Sequence, residues 1–256
     1  MDPRSIADQL VTAERERTAI PAFTSTFPFL GLKQAYLAQD LVVRQRLASG
    51  ERLIGAKLGL TSRIMQQVIN VHEPVYGWLT SGMVAPADEP LPLDELIHPR
   101  AEPEIAFLLR EEPARPATII SVLAATEAVF GAIEVFDSRY ADYAYRLPDV
   151  IADNVGAARF VLGPQARKPG ELEDLRLVGC VFRSHGEVVG TGAGGAALGH
   201  PAAAVAWLVN VLAAEGKQLA AGSLVLSGGL TAPAPLHRGR VLSADFDGLG
   251  TVSVYG

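Results

Sequence analysis

The stretch 98-HPRAEPEIAF-107 carries two glutamates, Glu102 and Glu104, where the chain turns apolar through Ile105, Ala106, Phe107, Leu108 and Leu109. A short apolar run with no helical spacing reads as a strand. Side chains two apart on a strand share a face, so the two carboxylates should project together. Like charges that close repel, and one carboxyl should keep its proton unless a cation lies between them. Pro103, between them, has no N–H to give to a sheet ladder, which places the stretch at an edge or rim of its sheet.

Two other charged residues have the same setting. Glu134 sits inside 131-GAIEVF-136, flanked by Ile133, Val135 and Phe136. Three carboxylates rooted in apolar strands make an oxygen-rich donor set without nitrogen, which suits Mg²⁺ or Mn²⁺ better than zinc. The bland alternative is three glutamates on the solvent face of a sheet. Lys57 in 54-IGAKLGLTS-62 is the matching cation. Burial would lower its pKa and a nearby carboxylate would raise it. Thr61 and Ser62 follow as N-cap residues for a helix over about 62–69. The start of that helix offers backbone N–H groups to a substrate carboxylate.

Further strand-like segments occur at 52–60, 176–183, 223–229, 239–246 and 250–255. Helical stretches are expected at about 62–69, 117–130 and 200–215, the last opened by His200-Pro201 and stopped by Gly216. The first fifty residues read as helical, with Ile6, Leu10 and Val11 in one run and Leu32 to Val42 in a second. Strands outnumber helices and do not alternate with them. The expected fold is therefore α+β: a mixed, largely antiparallel β-rich core with an N-terminal helical appendage. The expected division is a helical segment over 1–50 and a catalytic domain over 51–256.

The composition excludes several roles. A net charge of −6 with no basic cluster argues against a nucleic-acid partner. No uninterrupted apolar run of about 18 residues is evident, so no membrane span is expected. The first twenty residues lack the basic-then-apolar order of a signal peptide. The single cysteine, Cys180, lies in the apolar run 177-LVGCVF-182 and reads as core filler. Together these suggest a cytoplasmic protein. The glycine-rich 190-GTGAGG-195 is followed by no Lys-Ser/Thr, so it is not a P-loop.

The segments 54-IGAKLGLTS-62, 73-EPVYGWL-79, 97-IHPRAEPEIAF-107, 134-EVFDSRY-140, 151-IADNVGAARFVLG-163, 197-ALGHPAAAVAWL-208 and 224-LVLSGGLT-231 occur in an order that resembles one family. It is the 4-oxalocrotonate decarboxylase and 2-oxopent-4-enoate hydratase group of the fumarylacetoacetate hydrolase superfamily. The resemblance implies the C-terminal fold of that superfamily and a Mg²⁺ (or Mn²⁺) held by Glu102, Glu104 and Glu134. It also implies Lys57 as the active-site lysine and a small 2-oxo acid as substrate. A homo-oligomer is expected, with a complex with a homologous hydratase as a further partner.

Within that group, hydratases carry an acidic residue after the proline of 73-EPVYG-77, where this chain has Val75. Water addition needs a proton-transferring group beside the incoming water, and valine has none. Loss of CO₂ needs no base and is favoured by an apolar wall. The expected activity is decarboxylation of a 2-oxo-3-enedioic acid to a 2-hydroxydienoate. The runner-up is hydration of 2-oxopent-4-enoate, and a hydrolase using His72 and Glu73 ranks third. A non-catalytic subunit of a hydratase–decarboxylase complex is the reading outside enzymology. Substrate contacts are expected at Leu60, Thr61, Ser62, Val75, Ser227 and Gly228. Arg139 is expected to be structural, and Asp153 and Asn154 to be either turn residues or supports of the site.

Overall fold

The computed structural model describes residues 1–68 and 71–256. Its strands are β1 (Leu53–Gly59), β2 (Val75–Thr80), β3 (Arg100–Leu109), β4 (Thr126–Phe136), β5 (Ala157–Leu162), β6 (Gly179–Ser184), β7 (Glu187–Ala193), β8 (Leu224–Leu226), β9 (Ala234–Pro235), β10 (Val241–Phe246) and β11 (Gly250–Tyr255). The α-helices are α1 (Pro3–Glu16), α2 (Phe23–Thr26), α3 (Leu32–Ala48), α4 (Arg63–Val68), α5 (Ile119–Ala125), α6 (Leu147–Ala152) and α7 (Pro201–Ala214). One seven-stranded sheet runs β2-β1-β8-β3-β4-β5 with β9 beside β3, and a four-stranded sheet runs β11-β10-β6-β7. Every pairing is antiparallel except β1 with β8. The expected mixed, largely antiparallel α+β fold is what forms.

The period of two along β3 separates core from site. Ala101, Ile105, Phe107 and Leu109 enter the main core with Val129, Ile133 and Val135 of β4. Opposing them are Cys180, Phe182, Leu242, Ala244, Phe246 and Val254 of the smaller sheet. The even positions, Glu102 and Glu104, lie on the other face. A strand of this kind has polar residues only where they are needed, and burying each large apolar side chain on its other face contributes about 1.5–3 kcal/mol.

Helix α7 opens as expected. His200 is its N-cap, the ring Nδ1 accepting from the Ala202 N–H at 3.0 Å, and Pro201 follows. The stretch Gly194–Ala214 is long and apolar enough to cross a membrane by length and composition, but half of it is buried within the fold. Ala204, Val205, Leu208, Val209 and Leu212 belong to the main core.

Helices α1 and α3 form a layer over the edge of the large sheet. Ile6, Ala7, Leu10, Ala35, Ala38 and Val42 share an apolar cluster with Val75, Tyr140, Ile151, Ala152 and Val155. Gln39 of α3 reaches through it, donating to Tyr76 O at 2.8 Å and Ile151 O at 3.0 Å. The outer edge of β2 is thereby covered.

Two local expectations need correction. The helix expected over 117–130 ends at Ala125, and Thr126–Phe130 already belongs to β4. The β-branched and aromatic residues there pair with β3, with Phe107 opposite Val129 and Ala106 opposite Phe130, and that pairing outweighs helix propensity. The stretch around Pro103 is not an edge, because β3 lies inside the sheet. Pro103 is tolerated because β8 has ended beside it, and its carbonyl instead accepts from the Leu230 N–H at 2.9 Å. The helix expected over 62–69 is seen as α4, and residue 69 lies outside the described residues.

Candidate metal centre

β3 and β4 place Glu102 directly opposite Glu134, and opposed residues of an antiparallel pair share a face. Glu102, Glu104 and Glu134 each offer a carboxylate oxygen within 4.8 Å of the others. Glu104 and Glu134 are buried, and Glu102 is half-buried. The reading in which these residues face open solvent does not hold. Glu104 Oε2 accepts from the Gly228 N–H at 2.6 Å. Glu104 Oε1 and Glu134 Oε2 are buried and receive no hydrogen bond from any described donor outside the cluster; only a proton kept by Glu104 can be shared with Glu134. Buried anionic oxygens without a partner are costly, and three converging carboxylates with open lone pairs fit a hard divalent cation.

Lys57 comes from β1 and is 2% exposed. Its Nζ lies 2.6 Å from Glu134 Oε1 and donates to Val155 O at 3.2 Å. Burial works against the ammonium, but the charges of Glu134, Glu104 and Glu102 more than offset it, and the pKa is raised. Of the two opposing influences expected on this lysine, the carboxylates prevail. Burial, then the charge of Glu134, pushes Glu102 up to about 7 against the pull of Lys57. Burial and the charges of Glu134 and Glu102 hold Glu104 well above the usual carboxylate range. Without a cation the group keeps protons, as two crowded carboxylates must.

The other expected residues surround this group. Thr61 is buried, and its side chain presses on Gly228, whose φ of +104° is open to glycine. Gly228 gives its N–H to Glu104, so backbone at the end of β8 approaches a carboxylate. A side chain at Gly229 would collide with the Glu102 carboxylate. Ser227 is buried, and its hydroxyl has no hydrogen-bond partner among the described residues. Leu60, at φ +57°, closes β1, and its carbonyl accepts from Gln66 Nε2 at 2.6 Å. Ser62 is half-buried ahead of α4. Val75 is buried opposite Gly59, on the sheet face that carries Lys57, within the cluster that holds Ile151, Ala152 and Val155.

Several residues stand outside it. His72 and Glu73 are both exposed, and neither ring nor carboxylate meets the other in a dyad. The His98 ring pairs with Ser138 O at 2.7 Å and stacks on Tyr143, which removes it from the carboxylate group. Arg139 is buried in an ion pair with Asp153 and donates to Asp137 O at 2.8 Å, tying the segment after β4 to the end of α6. Cys180 is buried in the main core, where its thiol is pushed up to about 12.

The sequence did not point to the backbone at Asn154 and Val155. Asn154 (φ +51°) and Val155 (φ +55°, ψ +32°) both adopt the left-handed conformation. For a β-branched residue this costs on the order of 1–3 kcal/mol and persists only where surroundings enforce it. The Asn-Val-Gly order in 151–156 hints at a turn, but nothing in it signals that a carbonyl will face Lys57.

A carboxylate cluster and a buried lysine on one face of a mixed sheet, backed by a second sheet, define the class. The chain belongs to the fumarylacetoacetate (FAA) hydrolase C-terminal family, whose pattern it matches over residues 56–254. Nearer relatives narrow this. The chain is 38% identical to a 4-oxalocrotonate decarboxylase of Pseudomonas sp. (strain CF600), over 97% of this chain and 94% of that one. It is 42% identical to a 2-hydroxypent-2,4-dienoate hydratase of Pseudomonas putida, over 81% of this chain and 94% of the relative. In structure it superposes on the 4-oxalocrotonate decarboxylase of Pseudomonas putida G7 complexed with magnesium and adipate, with a TM-score of 0.94 and 34% identity, covering 99% of this chain and 96% of the other.

Proposed function

We propose that this protein is a Mg²⁺- or Mn²⁺-dependent decarboxylase of a 2-oxo-3-enedioic acid of the 4-oxalocrotonate type. The observation that carries the reading is the group of three convergent glutamates, two of them with buried oxygens that no described donor outside the cluster satisfies. Glu102, Glu104 and Glu134 are the residues that would hold the cation. Bound there, it supplies Lewis-acid polarisation of the substrate's 2-oxo group.

The chain's own residues do the rest. Ser227 Oγ and the backbone N–H groups at the start of α4, which Thr61 and Ser62 precede, are the donors assigned to the substrate's C1 carboxylate. Lys57 stays protonated in its acidic surroundings and is the catalytic cation assigned to the oxygen at C2. In the substrate, the bond between C5 and the C6 carboxylate breaks. Its electron pair forms the C4–C5 double bond, the C3–C4 pair moves to C2–C3, and the C2 oxygen takes the negative charge and then a proton. The products are CO₂ and a 2-hydroxydienoate. Leu60 and Val75 are assigned to the apolar wall, where a carboxylate becoming neutral CO₂ is favoured.

Relatedness to a hydratase keeps the alternative of water addition to 2-hydroxypenta-2,4-dienoate in view; absence of an acidic side chain at Val75 weighs against it. The test is an assay with and without Mg²⁺ on 2-oxo-3-hexenedioate and, separately, on 2-hydroxypenta-2,4-dienoate. Metal-dependent CO₂ release from the first alone supports the decarboxylase. Turnover of the second alone makes the protein a hydratase. Failure with both while Mn²⁺ still raises the melting temperature places the error in the substrate. The proposal treats 51–256 as the catalytic portion and 1–50 as its helical layer. A homo-oligomer, and association with a homologous hydratase, complete it and are tested by light scattering of the protein alone and mixed with such a hydratase.

A further inference from the structure

Among the described residues Lys57 Nζ has two partners, and one of them is a main-chain carbonyl in an unusual place. Val155 O reaches it from a turn in which Asn154, Val155 and Gly156 take positive φ values in succession, +51°, +55° and +69°. A valine does not adopt that conformation unaided. Asn154 is buried, and its amide pairs with both backbone groups of Trp78: Oδ1 accepts from the Trp78 N–H at 2.8 Å, and Nδ2 donates to Trp78 O at 2.9 Å. The side chain thus pairs with the outer edge of β2 as a neighbouring strand would.

Two glycines open the space this requires. Gly77 lies directly opposite Lys57 in the β1–β2 pairing, and a Cβ there would stand 2.5 Å from Asn154 O. Gly59, two residues beyond Lys57 on the same face, would place a Cβ 2.6 Å from Val155 Cγ1. The turn is therefore pressed onto the strands that carry the lysine. Covering the edge of β2 alone needs no strained valine; aiming a carbonyl at Nζ does.

We propose that Asn154 is a positioning residue for Lys57: its paired hydrogen bonds to Trp78 hold Val155 in the left-handed conformation that sets the Val155 carbonyl against the ammonium. With Glu134 on one side and this carbonyl on another, Nζ keeps one N–H direction for substrate. Strain retained beside a reacting group is a known means of preorganisation. The inference rests on Lys57 being catalytic, as in the reading above.

The test compares Lys57→Met, Asn154→Gly and the double variant on the substrate that the chain turns over, with Mn²⁺ binding followed by calorimetry. Glycine at 154 keeps the backbone angles accessible and removes only the clamp. Asn154→Gly is expected to lower kcat about 10- to 100-fold with KM and Mn²⁺ affinity within about threefold, because misplacement of one group is felt in the chemical step. In the double variant the loss is expected to equal that of Lys57→Met, since a residue acting through the lysine has nothing further to remove. Losses that multiply in the double variant, an unchanged kcat in Asn154→Gly, or a KM that rises and a metal affinity that falls along with kcat, would overturn the inference and make Asn154 a general support of the fold. If Asn154→Gly does not fold, Asn154→Ser, which keeps a short acceptor for the Trp78 N–H, enters the same comparison with the same two outcomes. Lys57→Met with unchanged kcat would sink the reading of the site itself, a result distinct from either.

Discussion

At the scale of single residues, the acidic group is held at a disadvantage that a cation removes. Glu104→Gln keeps an oxygen for the Gly228 N–H and takes one carboxylate from the cluster. The expected result is a metal-free protein more stable by on the order of 1 kcal/mol, about 2–4 °C in melting temperature, with the rise on adding Mn²⁺ abolished. Thermal melts with chelator and with Mn²⁺ measure both. The pH dependence follows from Glu102, raised from 4.5 to about 7 chiefly by burial. Between those values the folded metal-free protein binds more protons than the unfolded chain, so its stability falls as pH rises through that window. With saturating Mn²⁺ the carboxylates are held ionised and that decline should disappear. Melting curves from pH 5 to 8 under the two conditions check it. A cation at about 100 times its dissociation constant adds about 2.7 kcal/mol, so the two series should separate most above neutrality.

At the scale of elements, β3 was legible because its two faces have different work. The alternation of Glu102 and Glu104 with Ile105 and Phe107 announced both a strand and a site. Thr126–Phe130 was misread because its apolar residues suit a helix or a strand, and only pairing with β3 decides. Gly228 reads in the sequence as a place for substrate, and the Gly228-Gly229 doublet also makes room for Thr61 and the Glu102 carboxylate. That gives a prediction: Gly229→Ala should weaken Mn²⁺ binding about tenfold or more by displacing Glu102, and calorimetry would detect it. Asn154 is legible only as a turn residue or a support of the site, without its target, because its partner is the backbone of Trp78, 76 positions away. A side chain that pairs with main chain leaves no mark in the sequence of its partner.

At the scale of the whole molecule, α1 and α3 were expected as an appendage, and they share a core with the sheet. Ile6, Leu10, Phe23 and Leu30 cover Val75, Tyr140 and Val155, each large side chain contributing about 1.5–3 kcal/mol. Removal of residues 1–50 is therefore expected to abolish cooperative unfolding and expose the remainder to protease, measured by thermal circular dichroism and limited proteolysis. A fragment that melts cooperatively near the full-length temperature would show that the layer is dispensable.

The parallel pairing of β1 with β8 has a consequence for how the molecule forms. These strands lie far apart in the sequence, with Lys57 beside Leu226, so much of the chain must be in place before they meet. Contacts of such long range form slowly, because loop closure precedes any gain. The carboxylates of β3 and β4 can approach early, through neighbouring strands, while Lys57 and the Gly228 N–H arrive with the final closure. A nascent chain would therefore carry an unneutralised acidic hairpin until its last strands dock. If the hairpin does form before its lysine arrives, divalent cation should speed refolding as well as slow unfolding, and stopped-flow refolding with and without Mn²⁺ measures it; an unchanged refolding rate would place the carboxylates together only at the final step.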